Sequence, residues 1–355
     1  MTEIRIVHEG DVHRGEQAVQ EVHGMTGLPL IALAMGDPAG IGPEISVKAL
    51  QDERVRQACR VVLVGDAGVL ARSPGWHGGE PNLQLVSRPS DAVWGGDAIP
   101  VIDLANVPES MPRGIASEAG GRATLDCLRR ATELALAGEV DGVVFAPLNK
   151  EAMKLAGMAH HDEYGYFAEL CGVREEEYSV LMAAPHLSLA SVTLHLPLGE
   201  AVRALTTERV LNTIRHGHRA AVASGLPSPR VGVAALNPHA GEHGTLGNEE
   251  ENVIRPAIEA ARQEGIDARG PFPADTFFMT AKDGTYDVYV GMYHDQGRIA
   301  LKMLDFGRAT TLAEGMPVVY CTVGHGSAYD IAGKGIANHE NLVQTLLLAA
   351  RRSKK

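Results

Sequence analysis

Short apolar runs of strand length alternate with helical patterns along most of this chain. Strand-like runs lie at residues 30–35 and 142–145, and similar runs recur through the C-terminal third. Helical patterns separate them, as at residues 116–137 and 207–223. Strands that alternate with helices pair in parallel, because each helix returns the chain to the same end of the sheet. The alternation therefore predicts an α/β fold with a largely parallel sheet.

Composition and charge narrow the classes of protein further. The chain has 355 residues, and at roughly 100–200 residues per domain this suggests about two domains. A hydrophobic fraction of 45% excludes a disordered chain, and a net charge of −12 disfavours general binding to nucleic acid. No apolar stretch is typical of a membrane span. The four cysteines are far apart, which favours free thiols and a cytoplasmic location.

Three histidines lie just after predicted strands, among polar and glycine neighbours. They are His195 in TLHLPL, His239 in LNPHAGEHG and His294 in MYHDQG. Imidazoles in such places suit a divalent metal site with an open coordination position. Each histidine is also compatible with a hydrogen-bonded structural role, and their spacing matches no local zinc motif. The residues alone leave both interpretations open.

Other segments are candidates for binding or proton transfer. GDPAGIGPEI, at residues 36–45, follows a strand and opens a helix, where glycines let the backbone approach a ligand, although it is neither a GxGxxG nor a P-loop motif. Lys150 lies just beyond a predicted strand and suits carboxylate binding or proton transfer, as do Asp275 in PADTFF and Lys302 in GRIALK. All three are also compatible with an ordinary surface position.

A glycine-rich loop, GHGSAYDIAGKGIAN, covers Gly324–Asn338. Its length and five glycines allow it to wrap a flat ligand, and Asp330 suits hydrogen bonding to a ribose. The alternative is a plain glycine-rich connection before the last helix. We favour ligand binding because the loop is long and its composition is specific.

Six motifs together resemble one known family. In chain order they are GDPAGIGPEI, HLPL around His195, NPHAGE around His239, PADTFF, YHDQG around His294 and HGSAYDIAGKG. Over about residues 29 to 350 the chain resembles the 4-hydroxythreonine-4-phosphate dehydrogenase family. The last motif is also similar to the adenosine-binding loop of isopropylmalate dehydrogenase.

The resemblance implies an isopropylmalate-dehydrogenase-like α/β fold of two domains, with the active site in the interdomain cleft, and a homodimer that shares its active sites. Residues 1–28 are polar and weakly patterned, so an N-terminal extension outside the core is expected there. One α/β domain, with the cofactor loop, takes residues 29–150 and 300–355. The other, with the metal ligands and the dimer interface, takes residues 151–299.

The resemblance and the motifs together suggest roles for individual residues. A divalent metal (zinc, or cobalt, magnesium or manganese) is expected on His195, His239 and His294. NAD is expected on Gly326, Ser327, Asp330 and Asn338. The expected catalytic residues are Lys150 and Asp275, and the expected substrate contacts are Glu163, Tyr164, Lys302, Thr311 and Tyr320.

Some positions depart from the family pattern. Glu163–Tyr164 replace a His–Thr pair, and Thr311 and Tyr320 stand where the family has Asn and Arg. Because arginine is a strong phosphate ligand and glutamate repels phosphate, these changes disfavour a phosphorylated substrate. We therefore expect NAD- and metal-dependent oxidative decarboxylation of a non-phosphorylated carboxylated diol, such as terephthalate cis-dihydrodiol. The alternatives are 4-hydroxythreonine-4-phosphate dehydrogenase activity in pyridoxal phosphate synthesis, or a metal-binding relative without catalysis.

Overall fold

The computed structural model describes Arg5–Ile6, residues 27–305 and residues 308–353. Most of the predicted extension at residues 1–28 therefore lies outside the described residues. The chain divides into two compact units, of which the first comprises Met1–Cys171 with Pro317–Lys355 and the second Gly172–Met316. These bounds differ from the cuts at residues 150 and 300 drawn from the sequence, and the domain division stays a prediction.

Strands and helices alternate through both units. The strands are β1 (Arg5–Ile6), β2 (Leu30–Ala34), β3 (Arg60–Gly65), β4 (Asn82–Leu85), β5 (Ile99–Asp103), β6 (Gly142–Phe145), β7 (Ser179–Ala183), β8 (Ser188–Ser191), β9 (Arg230–Ala234), β10 (Asp267–Phe272), β11 (Val288–Gly291), β12 (Thr310–Glu314) and β13 (Tyr320–Val323). The helices are α1 (Gly42–Leu50), α2 (Glu53–Ala58), α3 (Ala67–Ala71), α4 (Glu118–Leu136), α5 (Lys150–Leu155), α6 (Glu163–Cys171), α7 (Leu198–Arg203), α8 (Thr207–Ala223), α9 (Arg255–Gln263), α10 (Ala274–Phe277), α11 (His294–Asp305) and α12 (Glu340–Ser353).

The first unit contains a parallel sheet in the order β1-β4-β5-β3-β2-β6-β13. Its central strand β2 is a continuous apolar run, and its register pairs Ile31 with both Val61 and Gly142. Such runs are typical of parallel strands covered on both faces. Helix α4 begins where the Ser117 side chain accepts the Gly120 N–H. At Gly121 this helix meets α5, and a methyl group there would overlap the carbonyl oxygen of Ala152.

The second unit contains the strands in the order β12-β7-β8-β11-β9-β10. The β12–β7 and β7–β8 pairs are antiparallel, and the pairs from β8 to β10 are parallel. Because β8, β11 and β9 are parallel neighbours, the segments that follow them leave the sheet at the same edge. This edge positions the three candidate histidines.

An aromatic cluster forms part of the core of the second unit. Phe277 lies 4.9 Å from Tyr289 and 5.4 Å from Phe272, between ring centroids. Aromatic pairs at these separations contribute about 1 kcal/mol each beyond the area they bury. The cluster anchors α10 on the sheet and thereby fixes the position of Asp275 in that helix.

The predicted α/β class with largely parallel pairing is confirmed. Helix α8 has the bounds that the sequence pattern predicts. The sequence of residues 73–94, rich in Gly, Pro and Ser, predicts a surface loop, but β4 lies inside this segment. The apolar pattern at residues 191–194 predicts a strand, but β8 ends at Ser191. Among the described residues, no helix combines the length and apolarity needed to cross a membrane.

Candidate active site

Two of the three candidate metal ligands lie together at the carboxyl edge of the second unit's sheet. Strand pairing places Ser191 opposite Gly291, and hydrogen bonding continues beyond the strands. The Val192 N–H donates to the Gly291 carbonyl at 2.9 Å, and the Thr193 hydroxyl donates to the Met292 carbonyl at 2.9 Å. The two chain segments therefore leave the sheet side by side. As a result, the rings of His195 and His294 lie 5.6 Å apart between centroids.

Carboxylates beside two of the histidines orient these imidazoles in a way that suits metal binding. Nδ1 of His294 lies 2.6 Å from Oδ1 of Asp295, and Nδ1 of His239 lies 3.3 Å from Oε1 of Glu242. A carboxylate at Nδ1 favours the tautomer that keeps its proton there and leaves the Nε2 lone pair for a cation. Burial lowers the pKa of His294, which also favours the neutral ring. These donors fit a divalent metal.

His239 lies on a loop of unusual backbone. Residues 239–243 all have positive φ, with values from 44° to 79°. Only Gly241 among them takes this left-handed conformation without steric cost, and each of the others costs roughly 1–2 kcal/mol. The Thr245 and Leu246 N–H groups close the loop by donating to the carbonyls of Glu242 and Gly241. The surrounding structure must therefore hold this segment in place.

The three candidate ligands do not come together among the described residues of one chain. In the part of the chain that the structure describes, no group of three or more His, Cys, Asp or Glu side chains is close enough to hold a metal ion. His239 thus does not join the pair of His195 and His294, and its side chain is 66% exposed. The exposed imidazole is available to a group outside this chain.

Gln296 also organises this edge, and the sequence analysis missed it. Its Oε1 accepts the Met292 N–H at 2.7 Å, and its Nε2 donates to the Ala235 carbonyl at 2.7 Å. The side chain therefore ties the start of α11 to the end of β9. Its place in the YHDQG motif, next to His294, was the available signal.

The other predicted site residues of the second unit are dispersed over three elements. Asp275 is exposed in α10, and Lys302 is exposed on α11, the helix that begins at His294. Thr311 is 6% exposed and lies on β12, opposite Met182. Lys302 is thus placed to meet an anion in solvent, whereas Thr311 is part of the sheet.

In the first unit, helix α1 holds the glycine-rich loop Gly324–Asn338. Glu44 is 2% exposed and accepts the Ala337 N–H at 2.8 Å and the Gly335 N–H at 3.2 Å. Lys48, one turn later, donates to Glu44 at 2.7 Å and to the carbonyls of Gly335 and Ala337 at 2.9 Å each. This ion pair, in which Glu44 is buried and Lys48 partly exposed, therefore satisfies both donors and acceptors of the loop.

The start of the same loop contacts the GDPAGIGPEI turn. The buried Asp37 accepts the Tyr329 hydroxyl, and burial raises the pKa of the Asp37 carboxyl. The Ile41 N–H donates to the Ser327 carbonyl at 2.9 Å. A Cβ at Gly40 would lie 2.7 Å from Ser327, so this position requires glycine. The two glycine-rich motifs therefore form one packed structure.

The predicted cofactor contacts differ in accessibility. Gly326, Asp330 and Asn338 are exposed, whereas Ser327 is 7% exposed. The Asn338 side chain accepts the Glu340 N–H at 2.8 Å, next to the start of α12. The exposed Asp330 is free to meet a polar ligand along this loop.

Four further predicted residues lie in the first unit. Lys150 begins α5, and its ammonium lies 3.5 Å from Oε2 of Glu163. Tyr164 is 4% exposed. Tyr320 is fully buried: its ring stacks on Phe167 at 4.2 Å between centroids, and its hydroxyl donates to Thr132. Substrate contact through these residues stays a prediction.

Comparisons with known proteins bear directly on the substrate. The chain is 40% identical to D-threonate 4-phosphate dehydrogenase from Cupriavidus necator over 92% of this chain and 99% of that protein. It is 36% identical to the crystal structure of 4-hydroxythreonine-4-phosphate dehydrogenase from Klebsiella pneumoniae, with a TM-score of 0.80, over 92% of this chain and 99% of that one. Both relatives are named for phosphorylated substrates.

The preference for a non-phosphorylated diol such as terephthalate cis-dihydrodiol is therefore wrong. The solved terephthalate 1,2-cis-dihydrodiol dehydrogenase from Burkholderia xenovorans is less similar, at 33% identity and a TM-score of 0.65 over 91% of this chain and 98% of that one. The preference gave great weight to Glu163 and Tyr320. Packing accounts for both, since Glu163 lies beside Lys150 and Tyr320 lies in the core.

A family model and individual relatives both identify the family of this chain. A family model described as "Pyridoxal phosphate biosynthetic protein PdxA" matches residues 57–349, which is most of the chain. The relatives above are named dehydrogenases and align over nearly their whole length. The prediction of a dehydrogenase that acts on a CH–OH group is thereby confirmed. This chain belongs to the PdxA family of dehydrogenases.

Proposed function

We propose that this protein is an NAD-dependent, metal-requiring dehydrogenase that oxidises a 4-phosphorylated four-carbon hydroxy acid, either 4-hydroxythreonine 4-phosphate or D-threonate 4-phosphate. The observation that carries the proposal is the paired imidazoles of His195 and His294 at the edge of a parallel sheet. The names of the relatives supply the substrate class.

The proposed reaction has two steps. Oxidation moves a hydride from the carbinol carbon to NAD⁺ and the hydroxyl proton to a base. The new ketone lies β to the carboxylate, so loss of CO₂ breaks the bond between the carboxylate carbon and the α-carbon and leaves an enolate. Protonation of the α-carbon of this enolate then gives the final ketone.

The chain's own residues supply anion binding and proton transfer in this proposal. The exposed ammonium of Lys302 on α11 binds an anionic group of the substrate. Lys150 or Asp275 takes the hydroxyl proton or returns a proton to the enol carbon. Lys150 already lies 3.5 Å from a carboxylate oxygen of Glu163, which holds its ammonium at the start of α5.

His195 and His294 would hold the metal, with His239 as the third ligand. A bound divalent cation lowers the pKa of a coordinated hydroxyl and stabilises negative charge on oxygen. Three imidazoles suit zinc or cobalt, and magnesium or manganese are the alternatives. Asp295 orients the His294 ring through its contact with Nδ1.

The protein acts as a homodimer in this proposal, and the partner copy supplies the third imidazole. Two observations support a shared site: the His239 side chain is 66% exposed, and α11 exposes Ile299 and Met303 at 58% and 83%. Large exposed apolar side chains beside an incomplete site are typical of a surface that a partner covers.

The glycine-rich loop Gly324–Asn338 binds NAD in this proposal. Asp330 accepts hydrogen bonds from the adenosine ribose, and its negative charge disfavours the 2′-phosphate of NADP. Gly326, Ser327 and Asn338 supply further backbone and side-chain contacts. A cytoplasmic location belongs to the same proposal, because all four cysteines are free thiols.

Turnover tests the proposal directly. The purified chain is incubated with NAD⁺, zinc or cobalt, and each of these two phosphorylated acids, while NADH absorbance is followed. We expect NADH with at least one phosphorylated compound, and little with its non-phosphorylated counterpart. The variant His294→Ala should be inactive. Equal rates with and without the phosphate, or no NADH with any of these compounds, contradict the proposal.

A further inference from the structure

The loop of His239 depends on one buried side chain from another part of the sequence. Glu250 is 1% exposed, although carboxylates are rarely buried without partners. Its Oε1 accepts the Leu236 N–H at 2.8 Å and the Asn237 N–H at 2.7 Å, and its Oε2 accepts from Asn237 Nδ2 at 3.0 Å. Three donors on the entry to the loop therefore meet at one carboxylate.

The same carboxylate also lies against the middle of the loop. A Cβ at Gly241 would lie 2.6 Å from Oε2 of Glu250, so the backbone of Gly241 packs closely against this oxygen. Gly241 is the centre of the left-handed run at residues 239–243. The loop is thus fixed at its entry and its centre, with His239 between the two points.

Glu250 is itself held rigidly. It is the first residue of a π-helical turn, Glu250–Ile254, which continues directly into α9. Such turns are rare and occur often at functional sites, where they redirect a side chain. The neighbouring Glu249 binds the same Asn237 amide at 2.6 Å, which reinforces the contact between turn and loop.

We propose that Glu250 is a positioning residue that sets the direction of the His239 imidazole toward the metal. This inference rests on the proposed metal role of His239 and extends it to a residue that the sequence motifs do not mark. Without the second carboxylate oxygen, the Asn237 Nδ2 group loses its acceptor on Glu250 and Gly241 loses the oxygen against which it packs, so the left-handed run is free to relax toward ordinary backbone. The imidazole then no longer points in the direction the metal requires.

The test compares metal binding by Glu250→Gln with a matched control, Glu259→Gln, which makes the same change at an exposed position on α9. The full chain is freed of metal, and Co²⁺ is titrated while heat and the visible absorption of the Co²⁺ ion are recorded. We expect Glu250→Gln to bind Co²⁺ at least tenfold more weakly with a changed spectrum, and Glu259→Gln to match the wild type. Wild-type affinity and spectrum in Glu250→Gln overturn the proposal.

A second variant keeps the test decisive if Glu250→Gln does not fold, as judged by circular dichroism. Gly241→Ala keeps the carboxylate but pushes the loop away from it, and we expect the same weakening of Co²⁺ binding. Unchanged Co²⁺ binding by Gly241→Ala overturns the proposal.

His239→Ala separates this inference from the proposed function. If His239→Ala binds Co²⁺ as the wild type does, His239 is not a ligand and the metal assignment fails, whatever Glu250 does. If His239→Ala binds weakly while Glu250→Gln binds normally, the metal assignment stands and only the positioning role is wrong.

Discussion

Glu44 in the first unit and Glu250 in the second are both almost fully buried, and each accepts two backbone N–H groups from a loop with proposed site residues. Their other partners differ. Glu44 binds the ammonium of Lys48, which also donates to two carbonyls of its loop, whereas Glu250 binds the neutral Asn237 amide. A charge pair can hold a loop by both its donors and its acceptors, while a lone carboxylate holds only donors.

The largest effect should follow from breaking the charge pair. Lys48→Met leaves Glu44 buried without its cation, and we expect the free energy of unfolding to fall by about 4 kcal/mol. Urea unfolding of the full chain measures the change. The double variant Glu44→Gln/Lys48→Met removes both charges and should recover part of the loss. If Lys48→Met costs less than about 1 kcal/mol, the pair does not stabilise the loop as described.

The next largest effect is the dependence of stability on pH that comes from His216, a buried histidine near two arginines. His216 is 5% exposed, with Nδ1 2.7 Å from the Ser179 hydroxyl. Burial, together with Arg219 and Arg215, lowers the pKa of His216 to about 4 from 6.5. Between these pH values the unfolded chain binds a proton that the folded chain does not. Stability from this group is therefore complete above pH 6.5 and falls by about 3 kcal/mol as the pH drops to 4.

The variant His216→Gln isolates this contribution. Urea unfolding at several pH values should show a smaller loss of stability below pH 6.5 in the variant than in the wild type. Parallel pH profiles for the two proteins are evidence against a depressed pKa. With the His216 effect separated, the comparison that remains is between the carboxylates of Glu44 and Glu250.

Glu250→Gln should cost less stability than Lys48→Met. The glutamine keeps one oxygen for the Leu236 and Asn237 N–H groups, so one buried acceptor is lost and no unpaired charge remains. We expect a loss of about 1–2 kcal/mol in the free energy of unfolding, measured in urea. A loss larger than that of Lys48→Met reverses the ranking of the two loops.

The smallest expected effect concerns the carboxylate beside a proposed metal ligand. Asp295→Asn keeps the shape of the side chain but weakens its contact with Nδ1 of His294. We expect Co²⁺ affinity to fall about tenfold with little change in unfolding, since such partners tune ligands without carrying the fold. Calorimetric titration measures the affinity. Wild-type affinity in Asp295→Asn is evidence that this carboxylate does not orient the ring.

The sequence was sufficient for features that follow from periodicity. Strand–helix alternation predicts parallel strands, and parallel strands bring residues such as His195 and His294 to one edge. It was not sufficient for Glu250, because the carboxylate meets Leu236 and Asn237 through a turn that no local pattern marks. The left-handed run was also beyond prediction, since histidine, alanine and glutamate rarely adopt positive φ without outside support.

The contact at Gly121 links two segments with proposed functions that are far apart in the sequence. In the N-terminal turn of α4, Gly120 lies near Asp37, which accepts the Tyr329 hydroxyl of the glycine-rich loop, and the adjacent Gly121 lies directly against the backbone of α5. Lys150 is the first residue of that helix. A side chain at position 121 would push α5 away from α4. In the proposed function, Gly121→Ala should therefore lose dinucleotide affinity and proton transfer together.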